Sequence, residues 1–143
     1  MKKAVGGAYV YNLVIIFLLI MLGFFLALFS YTKAYRVSKS VITIIENHSG
    51  YNSETKKDIN TYLDTMGYNK FDITVDKCPE QKTSKGTKAV AKEAFSGLCI
   101  YEISNDKNYV SYGVLSYMII DLPLIDIIKI PIYGETERIY IFK

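Results

Sequence analysis

Tryptophan is missing from this 143-residue chain, histidine occurs once, and there are only three prolines and two cysteines. Each scarcity removes a class of function. The single imidazole, His48, lies in a run of turn residues, Asn47-His48-Ser49-Gly50, so serine or cysteine nucleophile schemes have no other base to draw on. A zinc site is excluded in the same way, because no second histidine, Cys-x-x-Cys pair or carboxylate cluster stands at ligand spacing. Phosphate loops are missing too: Gly6-Gly7 precede an apolar run, and Gly86 lacks every other element of a P-loop. Carboxylate pairs such as Glu135/Glu137 and Asp121/Asp126 do occur, yet on loops flanking strands such groups are ordinarily solvated. The chain is therefore expected to be non-enzymatic, with no catalytic, cofactor-binding or metal-binding residues.

What the chain has in plenty is hydrophobicity: 50% of it is apolar, although 22% is charged. The two coexist because the apolar residues are unevenly placed. Residues 8–29 (AYVYNLVIIFLLIMLGFFLALF) carry no charge, and as a helix they span about 33 Å, enough to cross a hydrocarbon core. With that segment removed, the remainder has the charge content of an ordinary small globular domain. A retained transmembrane anchor is favoured over a cleaved signal, because no A-x-A site follows and Tyr31 and Tyr35 occupy the place where one would lie. Tyr9 and Tyr11 at the other end complete an interfacial aromatic belt.

Basic residues flank the anchor almost evenly, Lys2 and Lys3 before it and Lys33, Arg36 and Lys39 after it, so charge does not set its orientation. The cysteines speak to it. Cys78 and Cys99 both follow the anchor, and bonding them would close a loop worth roughly 3 kcal/mol in an oxidising compartment. That places the N-terminus in the cytoplasm and the C-terminal domain outside; two unrelated buried thiols are the alternative arrangement.

Beyond the membrane the helical pattern continues. Ala34, Val37, Val41, Ile44 and Ile45 fall on one face, with Ser38 blurring it, up to the turn at Asn47. A second helix is predicted with Ser53 as N-cap, an apolar face of Ile59, Tyr62, Leu63 and Met66, and Gly67 as its stop. FDITVD (71–76) alternates as a strand does, and Ala89–Phe95 reads as one turn of helix. LCIYEIS (98–104) and YVSYGVLSYMII (109–120) form a hairpin around Asn105–Asn108. IIKIPIY (127–133) is a strand that Pro131 confines to an edge, and ERIYIF (137–142) closes the chain. The expected class is α+β: a leader (1–7), a transmembrane helix (8–29), a helical stalk (30–50), and a head (51–143) with a short helix and a small antiparallel sheet.

Lys82, Lys85, Lys88 and Lys92, with Lys77, make one basic stretch that could hold DNA, a wall polymer or another anionic partner. Glu80 and Glu93 dilute it, the net charge is only +3, and no aromatics interleave the lysines, so a solvated loop is the simpler reading and nucleic acid is not the expected partner.

The N-terminus carries the most specific pattern. Lys2-Lys3-Ala4-Val5-Gly6-Gly7, followed by Ala8 and unbroken hydrophobicity, resembles a prepilin leader. In that family a membrane peptidase cuts after the glycine, here between Gly7 and Ala8, and the released helix packs with others into a filament core. Asn12 is the only polar side chain in 8–29 and would become the fifth residue, where most pilins carry glutamate. That departure is shared by minor or initiating pseudopilins; Asn12 is otherwise a residue near the interface. Gly23 offers close helix packing. The ending YMIIDLPLIDIIKIPIYGETERIYIF is similar to the ends of TadE-like proteins of Tad-type (type IVc) pilus loci in low-GC Gram-positive bacteria, whose AT-rich coding also suits the many Ile, Lys and Asn residues. The resemblance implies a pilin-like fold, the lipid bilayer and other pilin or pilus-assembly proteins as partners, a prepilin peptidase, and a place in the cell membrane or a surface filament. Two other readings remain open from the residues alone: a membrane-anchored extracytoplasmic binding or sensor module, and a small subunit of a membrane complex.

Overall fold

A chain without proline or a turn signal between residues 2 and 47 has no reason to break its backbone ladder, and helix α1 runs unbroken over Lys2–Asn47. Its 46 residues extend about 69 Å. The computed structural model describes residues 2–68, 77–83, 88–95, 97–106, 108–122 and 125–141. Along the first half of α1 the most apolar 18-residue window has a mean hydropathy of 3.0 and none of it is buried, which fits a single-pass membrane anchor. In the second half the same helix turns into core: Ala34, Val37, Val41 and Ile45 are buried. Ser38, which interrupts the apolar pattern, is buried with them.

The chain reverses at Ser49, which takes a left-handed backbone (φ 52°), and enters α2 (Ser53–Met66). The N-cap is Asn52 rather than Ser53. Asn52 Oδ1 accepts from the Thr55 amide at 2.8 Å, and the Asn52 amide donates back to Thr55 Oγ1 at 3.4 Å. Both residue types cap well, but only Asn52 stands three positions before a hydroxyl that can reciprocate. Gly67 (φ 60°) ends the helix in the left-handed conformation expected of it. Ile59 and Leu63 are buried, while Met66 is exposed.

Among the described residues six strands follow: β1 (Gln81–Lys82), β2 (Lys88–Phe95), β3 (Leu98–Asp106), β4 (Tyr109–Leu122), β5 (Ile125–Glu135) and β6 (Ile139–Tyr140). They form an antiparallel, curled meander in the order β1-β2-β3-β4-β5, with β6 also on β4. The β3–β4 hairpin lies where the sequence places it, and β5 is an edge strand, as Pro131 requires. The segment Ala89–Phe95 is a strand, not a turn of helix. Its Ala, Lys and Glu residues favour a helix locally, but β3 needs a partner along Leu98–Glu102, and those long-range backbone bonds outweigh local propensity. FDITVD lies outside the described residues. Among the described residues of the last predicted strand only Ile139–Tyr140 pairs, since the chain leaves the ladder at 136–138. Thr136 bridges that gap, its amide donating to the Tyr112 carbonyl at 2.8 Å and its hydroxyl accepting from the Tyr112 amide at 2.9 Å.

Alternation along β3 and β4 builds two cores. Leu98, Ile100, Val110, Tyr112 and Val114 face the helices and meet Val37, Val41, Ile45, Ile59 and Leu63. Cys99, Tyr101, Ile103 and Leu115 point the other way and pack with Ala89, Cys78, Tyr117 and Tyr133. The Cys78–Cys99 disulfide ties the 77–83 segment over this second face. Tyr101 adds a hydrogen bond from its hydroxyl to the Pro79 carbonyl at 2.7 Å. The result is an α+β, pilin-like layout of one long apolar helix, one short helix and a curled antiparallel sheet.

Candidate functional site

The feature that joins membrane to head is α1 itself. Gly7 and Ala8 lie within it, so the helix is continuous across the expected leader boundary, and beyond the helix's own backbone nothing lies within 4 Å of where a Cβ on Gly6 or Gly7 would stand. Asn12 is exposed in the apolar half. Its amide offers two donors and an acceptor on an otherwise apolar surface. Gly23 likewise has no neighbour within 4 Å, leaving a flat spot on the helix surface about three turns beyond Asn12. Tyr31 and Tyr35 stack with ring centroids 6.2 Å apart where the helix leaves its apolar stretch.

The coupling of this helix to the sheet is close. Ser116, fully buried in the middle of β4, donates to the Ala34 carbonyl at 3.1 Å. The Glu137 amide donates to Glu46 Oε1 at 2.9 Å. Gly134 is where α1 approaches β5: a Cβ there would stand 2.8 Å from Ile42 Cδ1 and 3.4 Å from Ser38 Oγ. An open groove of about 340 Å³ remains beside this contact, lined among others by Tyr35, Lys39, Thr43 and Glu135. His48 reaches Asp58 at 2.9 Å and so links the end of α1 to α2.

No family model matches the chain, and neither the curated proteins nor the solved structures contain a match to it.

The basic residues divide. Lys82 and Lys88 are direct cross-strand neighbours in the β1–β2 hairpin, and Lys85 lies outside the described residues. Lys92 is set apart by an ion pair with Glu102, and its ammonium sits 5.8 Å and 6.0 Å from the ring centroids of Tyr112 and Tyr51. Beside it Glu93 accepts hydrogen bonds from both Tyr51 and Lys56. Burial pushes the Glu93 carboxyl up, but those two donors outweigh it and hold the group below the usual carboxylate range. The Tyr51 hydroxyl is raised, by burial first and then by Glu93. This cluster was not legible as a site, since its members come from α2, β2, β3, β4 and the turn before α2, and it serves to fasten α2 to β2. Among the described residues no group of three or more His, Cys, Asp or Glu could hold a metal ion.

Proposed function

We propose that this protein is a non-enzymatic, single-pass membrane protein, similar to TadE-like minor pseudopilins, that contributes to assembling, priming or capping a Tad-type or type IV-like pilus. The carrying observation is one uninterrupted helix whose exposed apolar half is continuous with the half buried in the head. Lateral packing of such helices in a membrane or filament would fix the position of each head, because no hinge separates the two halves. The Asn12 amide supports this reading as a polar group able to bond to a neighbouring helix, with Gly23 allowing close approach. The disulfide supports a head on the outer side, with the N-terminus and its Lys2-Lys3 leader cytoplasmic and available to a prepilin peptidase.

Intact-mass measurement of the membrane-extracted protein, from cells with and without the peptidase, tests the proposal. Loss of residues 1–7 only where the peptidase is present is the expected result; an uncut N-terminus in both counts against a pilin role. Orientation is read separately: impermeant maleimide should label intact cells only after an impermeant reductant opens Cys78–Cys99. A second reading, an anchored module that binds an anionic polymer, draws on the cross-strand placement of Lys82 and Lys88. It predicts salt-sensitive binding lost in the Lys82→Glu, Lys88→Glu double variant.

A further inference from the structure

The β4–β5 hairpin makes a second contact with the membrane: we propose that its end lies in the same lipid–water interface from which α1 emerges. The contacts between β4 and α1 set the direction. Tyr112 lies at the far end of α1, its hydroxyl 3.7 Å from a Cβ placed on Gly50. Two residues on, Val114 pairs with Gly134, which meets Ile42 and Ser38. Two further, Ser116 bonds to Ala34. Each step along β4 therefore descends α1 toward its apolar half. Helix α2 agrees, because Tyr68, just past its end, holds Tyr117 through both the carbonyl (2.7 Å) and the amide (3.2 Å).

β4 continues from Ser116 to Leu122, a further run of about 20 Å, whereas Phe29, the last residue of the apolar stretch 8–29, is only about 7.5 Å along α1 from Ala34. Even a strand inclined by about 45° to the helix descends about 14 Å and passes the level of Phe29. Seven of the ten residues at 119–122 and 125–130 are Ile or Leu. Ile128 and Ile130, on the same sheet face as Gly134 by strand alternation, are 41% and 44% exposed although that face is turned toward α1. None of the apolar window of the helix is buried either, so among the described residues protein does not close the space between them. Lipid does, since a bilayer that surrounds residues 8–29 already occupies this level. This inference rests on the membrane anchor and not on a role in a pilus.

Depth-dependent quenching tests it on the full-length protein. With the native cysteines bonded, Ile128→Cys takes a single environment-sensitive fluorophore; Leu19→Cys marks the membrane interior and Asn52→Cys the distal end of the head. In phosphatidylcholine nanodiscs holding one copy each, the label at 128 is expected to emit blue-shifted from that at 52 and to lose most of its intensity to spin-labelled lipid. Emission and quenching at 128 equal to those at 52, with 19 quenched, would overturn the proposal and leave the anchor intact. Protection at 128 that appears only when several copies share a disc would also overturn it, in favour of contact with a second chain.

Discussion

Replacing Gly113 by alanine puts a methyl group where Tyr133 already lies. A Cβ at this position would collide with the Tyr133 hydroxyl oxygen and stand 2.8 and 2.9 Å from two ring carbons. The glycine is required by space and not by backbone conformation, as the positive-φ glycines are Gly50, Gly67 and Gly97. Tyr133 belongs to the second core and meets Tyr101 edge-on at 6.3 Å, and it must swing away to admit the methyl. Overpacking of this kind costs about 1–3 kcal/mol, against which alanine returns up to about 1 kcal/mol by restricting the unfolded chain. The expected net loss for Gly113→Ala is about 1–2 kcal/mol. In a Tyr133→Ala background the obstruction is gone, and the same substitution should be neutral or stabilising by about 0.5 kcal/mol. Urea unfolding of the full chain in mild detergent, followed by tyrosine fluorescence because tryptophan is missing, measures both steps. An equal cost in the two backgrounds would refute the steric argument, as would a neutral Gly113→Ala alone.

Glu93 has a folded pKa below its unfolded value, so the stability it contributes is present above about pH 4.5 and is lost as pH falls through the folded pKa. Glu93→Gln should cost about 1 kcal/mol at neutral pH and flatten the acid limb of a stability–pH curve; an unchanged limb would show that Lys56 and Tyr51 do not hold the carboxylate. Reduction of Cys78–Cys99, which are 21 residues apart, should destabilise the head by about 3 kcal/mol in urea and release the cover over Tyr101. Ile45→Ala, at a fully buried site, should cost the head about 2–4 kcal/mol, whereas Ile16→Ala in the exposed half of the same helix should leave urea unfolding of the head unchanged.

Two elements were legible from residue order alone for the same reason: each is governed by a local period. The uncharged run 8–29 and the spacing of Ala34, Val37, Val41 and Ile45 specify a helix and its buried stripe with no reference to the rest of the chain. The β3–β4 hairpin and the edge position that Pro131 imposes on β5 were equally local. Asn12 and Gly23 could be singled out by sequence because each interrupts an otherwise large and apolar helix surface. Residues whose part depends on a distant partner could not be read. Ala89–Phe95 is composed of helix formers and became a strand because β3 offered it backbone partners; Ser38 looked like an interruption and is buried against β5; Gly113 carries no motif and makes room for Tyr133. Local order along the chain thus determined which segments are apolar and with what period. Only the tertiary structure decided that the sheet has two packed faces, and that β4 runs back along α1 toward its apolar half, because direction and contact between elements arise from packing energies that no window of sequence contains.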